Sequence, residues 1–62
     1  MDKNTVTAAN YYPWATGPWA LLVLEVIADG RRTGARKELV VRKDKRAARK
    51  IAAAHNATPW NF

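Results

Sequence analysis

The chain has 62 residues, no cysteine, no serine and a formal net charge of +6. This length allows one domain over residues 1–62, and the composition excludes disulfides, thiolate metal sites and serine nucleophiles. A domain this small hides only about 60% of the surface that its unfolded chain exposes, so its three Trp, two Tyr and one Phe are expected to stabilise it, since each buried aromatic hides about 150–250 Å².

The positive charge is concentrated in one part of the chain. Ten of the eleven Lys and Arg fall within residues 31–50, where Glu38 and Asp44 alone oppose them, which gives that segment a charge of +8. Residues 1–30 carry a charge of −2. Such asymmetry predicts one electropositive face rather than charge that only maintains solubility.

The apolar content does not predict a membrane protein. The first ten residues are polar and contain no apolar region of a signal peptide. The longest apolar run, residues 19–26, is interrupted by Glu25 and is far shorter than the ~20 residues of a membrane span. We therefore expect a cytoplasmic protein, and its initial Met1 leads us to expect a complete small open reading frame.

The N-terminal part of the chain has little regular patterning. Residues 1–10 are predicted to form a flexible arm, although NTVT has some strand propensity. The aromatic segment YYPWATGPW, residues 11–19, is broken by Pro13, Gly17 and Pro18, which exclude a helix interior. We expect a turn or an extended segment whose aromatic rings cover part of the core.

The clearest strand is WALLVLEVIA, residues 19–28, which is apolar and β-branched and ends at Asp29–Gly30. Alternate side chains of a strand point to opposite faces of the sheet, and both sets are apolar here except at Glu25. One face is expected to be core. The other is covered by the aromatic segment or by a second chain, or it is exposed and adhesive.

A second strand is predicted at residues 35–42, ARKELVVR. Asp29–Gly30 suits a two-residue type I′ turn, and Thr33–Gly34 suggests a longer loop or a bulge. An even loop length puts Leu39 and Val41 on the face of the even-numbered residues of the first strand. It puts four charged residues on the opposite face with Glu25: Arg32, Arg36, Glu38 and Arg42.

A helix is predicted over residues 44–55, with Asp44 as N-cap, Asn56 at its end and Pro59 unable to continue it. Its apolar stripe is Ala47, Ala48, Ile51, Ala52 and His55. The tail TPWNF is expected to send Trp60 and Phe62 back into the core. The predicted fold class is α+β, with a small antiparallel sheet, the hairpin 19–28/35–42, packed against one C-terminal helix. The predicted core is Trp19, Leu22, Leu24, Val26 and Ile51.

The basic start of this helix, KDKRAARK at residues 43–50, is the strongest functional signal. Cations near a helix N-terminus oppose the macrodipole and cost a few tenths of a kcal/mol each, and too few acidic residues are present for salt bridges along the helix. Neutralising phosphates is the simplest compensation, and the basic loop DGRRTGAR suits close approach to a phosphate backbone. The alternatives are a solvated outer face for the helix and a plain exposed turn for the loop.

Residues 17–55, GPWALLVLEVIADGRRTGARKELVVRKDKRAARKIAAAH, resemble the N-terminal arm-type DNA-binding domains of tyrosine-recombinase integrases. Those domains begin near a Gly-x-Trp, continue through a strand, a DG+R turn and a basic strand, and end in a helix that opens with Lys and Ala. The resemblance implies a three-stranded sheet that enters the DNA major groove, although only one pair of strands is obvious in this sequence. KDKRAARKIAAA is also similar to the strand–strand–helix end of double-stranded-RNA-binding domains, whose first helix is missing here.

The sequence thus predicts a non-enzymatic nucleic-acid-binding protein without cofactor or metal, with duplex DNA favoured over RNA. The single histidine, His55, has no cysteine or nearby carboxylate to share a metal. Nine basic residues are expected to contact the nucleic acid: Arg31, Arg32, Arg36, Lys37, Arg42, Lys45, Arg46, Arg49 and Lys50. The alternative is a small phage or mobile-element protein that binds and inhibits or modulates a host protein through its apolar strand and basic face. No membrane partner is expected, and a homodimer is left open.

Overall fold

The computed structural model describes residues 5–62, which form four strands and one helix. The strands are β1 (Thr5–Pro13), β2 (Trp19–Ala28), β3 (Arg31–Arg42) and β4 (Thr58–Pro59), and the helix is α1 (Lys45–Ala54). They form one sheet in the order β3–β2–β1–β4, in which β2 is antiparallel to β1 and β3 while β4 is parallel to β1. The predicted α+β class is confirmed.

The hairpin between β2 and β3 is tighter than the predicted 19–28/35–42 boundaries. Asp29 and Gly30 both have positive φ, 53° and 76°, as a type I′ turn requires, so β3 begins at Arg31 rather than at residue 35. Gly34, at φ 89°, lies in the predicted bulge, where the register shifts between Glu25 and Ile27. Both turn signals in the sequence are therefore used.

The register confirms the predicted distribution of side chains between the two faces. Leu22 pairs with Leu39, and Glu25 pairs with Arg36. Helix α1 covers the face that carries Leu22 and Leu39, which we call the helix face. The opposite face, which carries Glu25 and Arg36, has no helix on it within residues 5–62, and we call it the open face.

The predicted flexible arm is wrong for residues 5–10, and residues 1–4 lie outside the described part of the chain. Strand β1 pairs with β2 along its whole length, from Thr5 opposite Ala28 to Pro13 opposite Ala20. The physical reason is that β2, apolar on both faces, needs hydrogen-bonding partners on both of its edges. Strand β1 supplies the second edge although it contributes mainly small side chains to the core, such as Ala9.

The core lies between α1 and the sheet. Ala48 and Ala52 are fully buried, so the helix backbone approaches the sheet closely. Leu22 is the largest side chain that is fully buried within residues 5–62. Of the predicted core, Leu22 and Leu24 are confirmed as buried, whereas Val26 and Ile51 are only half-buried. The prediction that Trp19 belongs to the core is wrong, because its odd position in β2 places it on the open face, where it is 40% exposed.

The predicted helix caps are confirmed. The Asp44 carboxylate accepts hydrogen bonds from the backbone N–H of Arg46 at 2.9 Å and Ala47 at 3.4 Å. At the other end Asn56 takes a left-handed conformation, with φ 55°, and the N–H of Ala57 donates to the carbonyl of Ala52, as in a Schellman motif. Among residues 5–62 no helix is long and apolar enough to span a bilayer.

The C-terminal tail returns along β1, and the prediction that it packs on the core is confirmed for Phe62 but not for Trp60. The side chain of Asn61 accepts a hydrogen bond from the Tyr11 N–H at 2.7 Å and donates one to the Tyr11 carbonyl at 3.0 Å. Phe62 packs on the core with its ring centroid 5.4 Å from that of Tyr11. Trp60 does not enter the core and is 71% exposed, because it lies beside Ala8 and Asn10 on the open face, which no helix covers within residues 5–62.

Candidate nucleic-acid interface

Helix α1 presents four cations to solvent on the side away from the sheet. Lys45, Arg46, Arg49 and Lys50 are all exposed, while Ala48 and Ala52 on the other side of the helix are buried. The amphipathic spacing of the helix therefore fixes both its seat on the sheet and the direction of its charge. All four were predicted to contact nucleic acid.

This cluster is electrostatically unfavourable for the free protein. The first turn of the helix has no acidic residue and the last turn has no basic one, which is the reverse of what the macrodipole favours. Lys45 and Arg49, and likewise Arg46 and Lys50, stand four residues apart, where like charges cost about 0.2–0.5 kcal/mol per pair. Within residues 5–62 none of the four is paired with a carboxylate. A bound polyanion would relieve this repulsion.

Two cations of β3 extend the positive charge along the helix face. Lys37 lies opposite Leu24 and Arg31 opposite Ala28, so both alternate toward the side on which the helix packs. Past the end of the helix, Lys37 and His55 line an open groove of about 260 Å³. We call these six residues on the helix side the basic surface: Arg31, Lys37, Lys45, Arg46, Arg49 and Lys50.

The other three predicted residues lie on the open face, and each has a neighbour there. Arg32 lies 3.6 Å from the Glu25 carboxylate, and Arg36 donates to Glu38 at 2.9 Å. The guanidinium of Arg42 lies over the ring of Trp19, 4.9 Å from its centroid, in a cation–π contact. The fold therefore separates the nine predicted residues, six on one side of the sheet and three on the other.

The open face also holds most of the exposed apolar surface, the third of the alternatives that the sequence left open for it, although Trp19 and Trp60 were predicted to lie in the core. Five of the six large hydrophobic residues that are most exposed within residues 5–62 belong to it: Val6, Tyr12, Trp19, Val40 and Trp60. The signal in the sequence was the apolar set of odd positions in β2, which demands a cover. The aromatic segment does not supply that cover, since Trp14 is itself 45% exposed.

The acidic residues at positions 5–62 make contacts within the fold. Within residues 5–62 no group of three or more His, Cys, Asp or Glu is placed to hold a metal ion. Asp44 caps the helix, and Glu25 and Glu38 are engaged by arginines. What the arrangement can do chemically is to attract an extended anion on one side and an apolar surface on the other.

Comparisons with protein-family models, with curated proteins and with solved structures found no significant match to this chain.

Proposed function

We propose that the chain is a non-enzymatic nucleic-acid-binding protein that acts in the cytoplasm and holds the phosphates of duplex DNA with the basic surface. The observation that carries this proposal is the exposed cluster Lys45, Arg46, Arg49 and Lys50 at the N-terminal half of α1. Like charges placed at the unfavourable end of a helix are costly to the free protein. Phosphates that release their counterions on binding offset that cost.

Two further observations support the proposal. Lys37 and Arg31 continue the row of cations from the helix toward the tip of the hairpin, and the molecule is elongated, with a longest extent of 40 Å. A long row of cations matches a phosphate backbone better than a compact anion. Three antiparallel strands followed by a helix are also what the resemblance to integrase arm-type domains implies.

That resemblance implies contact through the sheet, whereas we place the phosphate contacts on the basic surface. The reason is electrostatic. Arg32 and Arg36 on the sheet are paired with Glu25 and Glu38, and a phosphate would have to compete with both carboxylates. The helix cations have no such competitor within residues 5–62, so they gain more from a phosphate.

The test is fluorescence anisotropy of a labelled duplex, with single-stranded DNA and duplex RNA of equal length as comparisons, over a range of salt concentrations. If about five phosphates are neutralised, log K should fall against log salt with a slope near −4 to −5. Tighter binding to duplex DNA than to RNA would support the preference stated above. Undetectable binding of all three probes at low salt would refute the proposal.

A second candidate function is favoured by the exposed apolar residues of the open face. It is the binding of a host protein by a small phage or mobile-element protein, whose action would be to inhibit or modulate that protein. Val40, 58% exposed on edge strand β3, and Tyr12 would then contact the host protein. Absence of nucleic-acid binding together with capture of one defined host protein, lost on Val40→Glu, would favour this candidate.

A further inference from the structure

The core of the single chain is thin and one-sided. Six of its eleven buried hydrophobic residues are alanine, and Leu22 alone among the larger side chains is fully buried within residues 5–62. A core in a chain of this size rarely supplies more than about 3–5 kcal/mol, and small proteins often add disulfides, a metal or association. Cysteine is absent, so association is the device that the composition leaves available.

The open face carries a row of large exposed side chains at one end and a depression at the other. At one end Leu21 of β2 lies between Tyr12 of β1 and Val40 of β3. Trp19 is the next residue of β2 on the same face, two positions before Leu21. We call Tyr12, Trp19 and Val40 the ridge, since all three are large and exposed.

At the other end of the same face lies a depression of about 180 Å³, lined among others by Ala8, Ile27, Arg32 and Trp60. A cavity of about 150 Å³ holds a benzene molecule, so the depression has room for one aromatic ring. Ridge and depression both involve β1 and β2, and the row Asn10, Val23 and Glu38 crosses the sheet next to the ridge, with Asn10 at the near edge of the depression.

We propose that the open face is the interface of a homodimer whose two-fold axis runs across the strands, along the row Asn10, Val23 and Glu38. Rotation about this axis keeps each strand over its own copy and exchanges the two ends of the face. The ridge of each chain then lies over the depression of the other, as an isologous interface requires. Two sheets packed in this way form a sandwich with the two helices outside.

The size of the face suits this occupant. The two longest extents of the whole molecule, 40 Å and 19 Å, limit the face to at most about 760 Å², which is of the order of the ~800 Å² that each partner buries in a standard interface. The residue types also fit, since Trp, Tyr and Arg are enriched in such interfaces relative to the rest of the surface.

The charges of the face permit the approach of an identical copy. Glu25 and Glu38 already neutralise Arg32 and Arg36, and Arg42 is held against the ring of Trp19. The unpaired cations of the helix lie on the far side of the sheet, so they stay apart in the dimer. A phosphate backbone, by contrast, would find two of the three arginines occupied, which is why a second copy is favoured here over nucleic acid.

The first experiment is cross-linking in the otherwise cysteine-free chain. Asn10→Cys lies on the proposed axis, so its two copies face each other, and a short bis-maleimide should join them in high yield. Ala53→Cys, exposed on the outside of α1, is the matched control and should remain uncross-linked. Equal cross-linking of both variants would overturn the assigned interface.

The second experiment is sedimentation equilibrium of the parent, Val40→Glu and Ala53→Glu. Each substitution adds one negative charge and replaces an exposed apolar residue, but only Val40 belongs to the ridge. Burying a carboxylate in the interface costs its desolvation, and the Arg36 that lies across from Val40 in the dimer is already engaged by Glu38. Val40→Glu should therefore raise the dimer Kd at least tenfold, while Ala53→Glu should change it less than about twofold. A dimer that tolerates Val40→Glu would also overturn the interface.

A concentration series of thermal melts keeps the proposal testable if Val40→Glu does not fold. The Tm of a dimeric parent must rise with protein concentration, and the Asn10→Cys cross-link leaves the ridge intact. A parent that stays at 7.0 kDa at every concentration, with a constant Tm, would overturn the dimer. If such a monomer also loses single-stranded DNA binding on Val40→Glu, the face belongs to stacked bases instead.

Discussion

The separation of the basic residues between two sides of the sheet predicts that two double variants of equal charge differ in DNA binding. Arg46→Gln with Arg49→Gln removes two charges from the basic surface, and Arg32→Gln with Arg36→Gln removes two from the open face. Each phosphate contact contributes about 0.9 to the salt slope. The helix variant should therefore flatten a parent slope of about −4.5 to about −2.7, whereas the open-face variant should change the slope by less than about 0.5, because its arginines are engaged by Glu25 and Glu38.

The difference is large enough to measure by anisotropy with one labelled duplex. Between 50 and 200 mM salt the parent should lose roughly 500-fold in affinity and the helix variant only roughly 40-fold. Thermal melts serve as the control for folding. Removing like charges from the helix should leave its stability unchanged or raise it by a few tenths of a kcal/mol, and losing two surface ion pairs should cost ~0–1 kcal/mol each. Equal flattening by both variants would show that the two sides act together on one duplex and would refute the separation.

Three further predictions concern the free energy of unfolding, measured by thermal or urea denaturation. Leu22→Ala should lower it by about 2–5 kcal/mol, a large share of the roughly 3–9 kcal/mol expected for 62 residues. Thr16→Ala, at an exposed position of the loop before β2, is the control, and an equal effect of the two would contradict the assigned core. Asp44→Ala should cost ~1 kcal/mol through loss of the helix N-cap, and Asp44→Asn should restore most of it, so equal losses in both variants would point to charge instead. Gly30→Ala should cost about 1–2 kcal/mol, because φ is 76° at this position. The cost would come from the backbone conformation alone, since no atom lies within 4 Å of an added Cβ. Unchanged stability would mean that the turn is not type I′.

The sequence by itself determined the hairpin, the helix and their relative faces. Asp29–Gly30 is a local signal, because only residues that tolerate positive φ can form the turn, and it acts without help from the rest of the fold. Once the loop length is even, the strict two-residue period of strands places Leu39 with Leu22 and Arg36 with Glu25. The caps Asp44 and Asn56 likewise satisfy backbone groups next to them in the chain, so their roles were predictable.

Only the tertiary structure decided which segment completes the sheet and which side of it remains uncovered. Residues 5–10 become a strand because β2 requires hydrogen bonds on its second edge, a demand made by a segment more than ten residues away. Trp19 and Trp60 are exposed rather than buried because a single short helix covers one face of a sheet and leaves the other face bare. The tertiary structure also separates basic residues that are close in sequence. Side chains alternate along β3, so Arg36 and Lys37 lie on different faces of the sheet. The alanine stripe of α1 packs on the helix face, so Arg46 and Arg49 point away from the arginines of the open face.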